Sequence, residues 1–217
     1  MVSGTDLQRQ TLQLYGELMA RRPRWAGALV FSSGAGVAAT GLPAAVSIAG
    51  GTSLLLDSDA AGVKAVFRQG GVDFVVNTLD EALRVLKNEI RKHRPLSVAL
   101  EGPVEPALAE MQERGVLPDL QVRWDGVDYS CAEQLQLVGM ESSPKLAAWL
   151  RERKWTDAAI ERATAMELRE LDASLLAQLP EDDAVRRAWV QRIAHYQRPV
   201  AGGARVVWLT EAEREAL

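Results

Sequence analysis

The chain has 217 residues, 47% of them apolar, enough to bury the core of one large domain or of one domain with an appendage. Its formal net charge of −4 argues against a general nucleic-acid binder. A single cysteine, Cys131, and two histidines, His93 and His195, exclude a disulfide framework and a Cys/His metal cluster.

The N-terminal stretch carries Asp6, Glu17 and scattered glutamines instead of a basic start and an apolar block, so it does not read as a secretory signal. No apolar run approaches the length of a membrane span, and the expectation is a soluble cytoplasmic protein. Residues 5–22 predict an amphipathic helix with Leu7, Leu14 and Leu18 on one face. Arg21, Arg22 and Arg24 end it, either as a solvated cluster favoured by the helix dipole or as a group reaching a phosphate.

Residues 28–59 organise the rest of the chain. An apolar run, 28–31, ends in a small-residue turn with Gly34, Gly36 and Gly41. A helix is predicted from about 42 to 49, and a second apolar run, 53–56, ends in Asp57. Strand, glycine turn, helix, strand and acid is the order of a dinucleotide-binding βαβ unit. Glycines let backbone N–H groups approach a pyrophosphate, the helix N-terminus adds orphan donors and partial positive charge, and the acid accepts from ribose hydroxyls. A strict G-x-G-x-x-G would need glycine at Ala39, so a structural turn without ligand is the competing reading.

Beyond Asp57, residues 59–70 predict a short helix closed by Gly70 and Gly71, and 72–76 a strand. Asn77 or Thr78 caps the next helix, with Glu81 in a capping-box position and Leu79, Leu83, Leu86 and Ile90 on its buried face. His93 reads as a helix-end residue, not a catalyst. Residues 96–100 form another strand, Glu101, Gly102 and Pro103 turn it, 104–114 are helical, and a strand covers 119–122. This alternation predicts a mostly parallel sheet whose C-terminal strand ends share one edge, the expected site.

Residues 123–143 are irregular. Trp124, Asp125, Asp128 and Tyr129 line a pocket there or pack as a loop, and Cys131 has no histidine placed to activate it. Four helices are predicted over 144–197, near 144–154, from Thr156, over 166–179 and over 181–195. Trp149, Trp155 and Trp189 are core or interface anchors among them. This block returns to the sheet through a strand over 205–209, and Thr210 caps a last helix.

Residues 79–119 carry a specific resemblance. The segment L-D-E-A-L-R-V-L, the strand and turn L-S-V-A-L-E-G, and the ending R-G-V-L-P-D resemble the inserted NAD-binding domain of urocanase (urocanate hydratase). The similarity runs back without gaps through the first turn, where a glycine-rich family segment falls on residues 34–43, and forward weakly to 198–208. It implies an α/β, Rossmann-like, mostly parallel sheet with flanking helices, plus a C-terminal helical segment returning to a final strand. The organisation implied is an N-terminal helix (1–25), a urocanase-like NAD-binding domain (26–130), a helical segment (144–197), and a C-terminal strand and helix of the same domain (204–217).

The resemblance also implies NAD as cofactor, with Gly34, Gly36, Gly41, Asp57 and Gly102 as its binding residues. In urocanases the nicotinamide acts as an electrophile toward the substrate imidazole. Three family glycines, however, fall on Val37, Ala39 and Thr40, and the family asparagine after Gly102 is Pro103. The family segment after Asp119 and the large substrate-binding domain have no counterpart. The reading is a domain that binds NAD or a related nucleotide without complete hydratase activity. The alternatives are a hydratase-type lyase using Glu101, Asp125, Asp128 or Tyr129, and a non-catalytic assembly domain with a degenerate pocket. A small-molecule ligand and a homodimer are expected, with no nucleic acid, membrane or metal; no catalytic residue is assigned.

Overall fold

The computed structural model describes residues 4–34, 37–123, 134–136, 143–196 and 203–216. In chain order, α1 (Gly4–Arg21) precedes β1 (Leu29–Ser33), α2 (Val37–Ile48), β2 (Thr52–Asp57), α3 (Ala60–Arg68) and β3 (Phe74–Val76). Then come α4 (Leu79–Arg91), β4 (Leu96–Glu101), α5 (Val104–Glu113), β5 (Leu120–Arg123) and β6 (Gln134–Gln136). The chain ends with α6 (Pro144–Arg153), β7 (Thr156–Arg162), α7 (Ala165–Gln178), α8 (Ala184–Tyr196), β8 (Gly203–Leu209) and α9 (Glu211–Glu215). Two compact units result: Arg24–Glu141, and Met1–Pro23 with Ser142–Leu217. No helix among the described residues is long and apolar enough to cross a membrane.

The first unit is built on a six-stranded sheet of order β3-β4-β2-β1-β5-β6, and every pairing in it is parallel. This is the Rossmann-like α/β architecture that the sequence predicts. Leu54, Leu55 and Leu56 are fully buried although consecutive side chains point to opposite faces, which is why β2 reads as an unbroken apolar run. On one face Leu54, Leu56, Phe31 and Val98 pack with Leu83 and Leu86 of α4 and Met111 of α5. On the other, Leu55 and Ala99 meet Val63 and Val66 of α3. Burying each such leucine or valine stabilises the fold by about 1.5–3 kcal/mol. Thr78 caps α4, its hydroxyl accepting from the Glu81 N–H at 3.2 Å, and Asp59 caps α3 in the same way through Ala61 at 2.9 Å.

In the second unit, two expectations are corrected. The helix predicted from Thr156 is the strand β7, and the final strand does not return to the parallel sheet. It pairs antiparallel with β7 in a separate two-stranded sheet. Ala158, Ala159 and Glu161 favour a helix locally, but the register from Thr156 opposite Leu209 to Arg162 opposite Gly203 overrides that preference. Lys154, in the left-handed region at φ 56°, stops α6 and redirects the chain into β7.

β8 is the spine of this unit, with Val206, Val207, Trp208 and Leu209 buried. The edge of β8 away from β7 is closed by side chains. Gln8 of α1 accepts from the Val206 N–H and donates to the Ala204 carbonyl at 3.2 Å, while the Trp189 indole N–H donates to the Val206 carbonyl at 2.8 Å. Tyr15 stacks on Trp189 and Trp208, and Trp149 and Trp155 pack against Trp208, so the tryptophans anchor the core of this unit. Burial pushes the Tyr15 hydroxyl well above its ordinary pKa, and it donates to the Val185 carbonyl at 2.9 Å.

Candidate functional site

β1 lies between β2 and β5. The chain leaves β1 for β2 on one side and, after β4, comes back to β5 on the other. Such a reversal opens a crevice at the C-terminal ends of the strands, where ligands of open parallel sheets bind.

Gly34 is the first residue past β1. Its N–H donates to the Leu56 carbonyl at 2.9 Å, which extends the β1–β2 ladder by one step before the chain turns. Its φ of +88° is left-handed, a conformation that side chains resist, and a Cβ there would meet nothing within 4 Å. Gly36 lies outside the described residues. α2 starts at Val37, five residues earlier than the predicted start near 42, and its twelve residues carry no charge. No acidic side chain in the first turn opposes the positive end of the helix dipole. Gly41 is therefore not part of the turn: it is a buried residue inside α2. The pair Gly41 and Pro43 reads as a helix start, yet here Pro43 sits in the helix interior, where it has no N–H to donate to the Ala39 carbonyl.

Asp57 closes β2 and is half-buried. One carboxylate oxygen accepts from the Asp59 N–H at 2.7 Å, which fixes the side chain at the sheet edge. A carboxylate at the end of the second strand accepts from ribose hydroxyls in nucleotide-binding sheets. The Asp57 carbonyl accepts from the Gly102 N–H at 2.9 Å, joining the ends of β2 and β4. Gly102 does not use the left-handed region, and a Cβ there would also meet nothing within 4 Å. Gly34, Asp57 and Gly102 thus stand at the ends of three adjacent strands, linked through Leu56 and Asp57. Glu101 pairs in register with Asp57 and is exposed at the same edge.

Other residues singled out in the sequence lie elsewhere or beyond description. His93 sits past α4 with φ 53°, its ring against Gly27, where an added Cβ would stand 2.7 Å from the imidazole Nδ1. That places it at the opposite, N-terminal edge of the sheet. Asp119 marks the same far edge, where its carboxylate accepts from the Leu29 N–H at 2.9 Å and pins the start of β1. Trp124, Asp125, Asp128, Tyr129 and Cys131 lie outside the described residues. Among the described residues no group of three or more His, Cys, Asp or Glu could hold a metal ion.

Two residues of β5 escaped the sequence reading. Gln121, level with Phe31 of β1, is buried, and its amide nitrogen has no hydrogen-bond partner among the described residues. Arg123 ends β5 one step beyond the pairing of Val122 with Ser32, so a cationic residue belongs to the edge beside β1. The only signal in the sequence is the polar residue at alternate positions of a short apolar strand.

The family model of the urocanase Rossmann-like domain matches residues 2–123, more than half of the chain. The chain belongs to the urocanase family. The match takes in α1, which the resemblance read from the sequence leaves out, and it ends with β5, where the urocanase pattern is lost in the sequence. The glycine turn, the acid after β2 and the turn after β4 all lie within the matched part.

Proposed function

We propose that this urocanase-family domain binds NAD or a related nucleotide across the C-terminal ends of β1, β2 and β4, and that it does not complete the hydration of urocanate. The observation that carries the reading is the Gly34–Asp57–Gly102 edge. Two positions without a Cβ face open space there, an anchored carboxylate stands between them, and an uncharged helix N-terminus follows. These residues fit the cofactor that urocanases use: Gly34 and the first turn of α2 approach the pyrophosphate, Asp57 accepts from a ribose, and Gly102 leaves room beside it. In urocanases the bound nicotinamide supplies an electrophile for the substrate imidazole. Among the described residues at this edge, Glu101, Asp57 and Asp59 are acids a hydratase could recruit, and His93 stands at the opposite edge.

The test is calorimetric titration of NAD⁺ into protein freed of copurified ligand, beside Asp57→Ala, with urocanate consumption followed in parallel. Binding lost in the variant, without consumption of urocanate, is the expected result. Absence of binding at millimolar NAD⁺ would remove the cofactor from the proposal, and turnover of urocanate would replace it with a hydratase.

A further inference from the structure

The second unit contains a cavity of about 280 Å³ that the nucleotide reading does not use. Its apolar wall is made by Leu12 of α1, Leu146 and Leu150 of α6, Trp155, and Trp208 of β8. Leu12, Leu146 and Trp208 are fully or almost fully buried. The indoles are held in place: Trp155 stacks on Trp208 at 6.0 Å and 10°, and Trp149 packs edge-on to each at 5.3 and 5.7 Å. At Gly16, one turn beyond Leu12, an added Cβ would lie 2.7 Å from Leu146 and 2.8 Å from Trp208, so α1 is pressed against that wall.

The rim is ionic. Arg9 of α1 and Asp157 of β7 both line the cavity and face each other, Arg9 Nε to Asp157 Oδ2 at 2.9 Å. Their side chains are 45% and 48% exposed, so the pair is an open one. An ion pair in such a setting contributes only about 0.2–1 kcal/mol, and separating it costs little. A cation and an anion side by side above an apolar, aromatic wall match a molecule that carries both charges on one carbon and an apolar group beyond it.

We propose that this cavity binds a free α-amino acid with an apolar side chain. Its carboxylate pairs with Arg9, its ammonium pairs with Asp157, and its side chain lies against the partly exposed Leu150 and Trp155. Arg9 also pairs with Asp6 at 3.5 Å, so the ligand exchanges the Arg9–Asp157 contact for two new ones beside that pair, and the apolar wall supplies the selectivity for side chains. The volume, about 280 Å³, lies just below the usual small-molecule range of about 300 Å³ and upward, which limits the ligand to a single residue.

The experiment titrates L-leucine and L-phenylalanine into the full chain and follows the indole N–H signals by NMR. The expected result is a saturable shift of the Trp155 and Trp208 signals. Arg9→Gln and Asp157→Asn should each weaken it about tenfold, equal to about 1.4 kcal/mol. Because a variant can perturb the fold, the same titration on the wild-type chain uses 3-phenylpropionate, which lacks the ammonium, and 2-phenylethylamine, which lacks the carboxylate. Both should bind about tenfold more weakly than phenylalanine if each charge is read. Equal binding of either analogue, or no shift with any probe at about 20 mM, overturns the assignment.

Discussion

Gly102→Ala separates the fold of the proposed nucleotide edge from its function. The backbone at Gly102 needs no left-handed φ, and a Cβ would meet nothing within 4 Å of the protein. The substitution also removes glycine's extra freedom in the unfolded chain, so stability should hold or rise, by up to about 1 kcal/mol. Gly34→Ala is the control. It too has open space for a Cβ, but its φ of +88° should cost about 1–2 kcal/mol whether or not a ligand binds. If a nucleotide lies across this edge, the methyl at residue 102 intrudes on it. Overpacking of a fitted contact costs about 1–3 kcal/mol, which weakens binding by roughly 5- to 150-fold. Calorimetric titration of NAD⁺ measures the affinity, and differential scanning calorimetry on the same samples measures stability. Gly102→Ala should bind weakly at an unchanged or raised thermal midpoint, whereas Gly34→Ala should lower both. Wild-type affinity in a stable Gly102→Ala protein would refute the placement of ligand over the end of β4.

Two further outcomes test the second unit. Gly16→Ala gains about 1 kcal/mol of helix propensity but drives a methyl into Leu146 and Trp208 at 2.7 and 2.8 Å, at a cost of about 1–3 kcal/mol, so the net loss is up to about 2 kcal/mol. A lower urea midpoint at an unchanged slope would show it. Glu213 gives a pH dependence. Burial alone would raise its carboxyl, but hydrogen bonds from Arg186 and Thr210 outweigh burial and hold it below its ordinary value of 4.5. A depressed folded value means that this contribution is complete above that ordinary value and is lost as pH falls through the folded one. Glu213→Gln should therefore show a smaller loss of stability than wild type between neutral and strongly acidic pH, measured by denaturant titration.

The parallel sheet was legible because its signals are chemical as well as periodic. Apolar runs such as 53–56 end in a turn or an acid, and Thr78 with Glu81 marks a helix start that the cap hydrogen bond bears out. The place of Asp57 at the end of β2 was legible from the apolar run that precedes it. β7 was not, because Ala158, Ala159 and Glu161 carry no strand preference of their own. Only β8, more than forty residues later, makes that segment extended. The start of α2 was misplaced for a different reason. Gly41 and Pro43 are the residues that usually punctuate a helix, and a helix buried along 41–48 has no polar face to show its period. Gln121 and the ion pair of Arg9 with Asp157 depend on which strands and helices become neighbours, so no local pattern announces them.

The substituted glycine turn bears on the nucleotide proposal less simply than a count of missing glycines suggests. In the resemblance to urocanase, the lost glycines fall on Val37, Ala39 and Thr40. All three lie in the first turn of α2, where the backbone is helical and no glycine is needed for its conformation. Replacing glycine in a helix by alanine gains about 1 kcal/mol, and by a β-branched residue less, so Ala39 most and Val37 and Thr40 to a smaller extent favour an ordered first turn. The described position with a left-handed backbone in this turn, Gly34, has kept its glycine. The donors that a pyrophosphate uses at a helix start are backbone N–H groups, which side-chain substitution leaves in place. On the nucleotide proposal, the substitutions shift the demand from backbone shape to clearance, because a glycine-rich turn allows a closer approach. A binding site of this kind should hold a nucleotide more loosely than a glycine-rich turn does. Val37→Gly should then tighten NAD⁺ binding while lowering thermal stability, a pairing of effects that a merely structural turn would not produce.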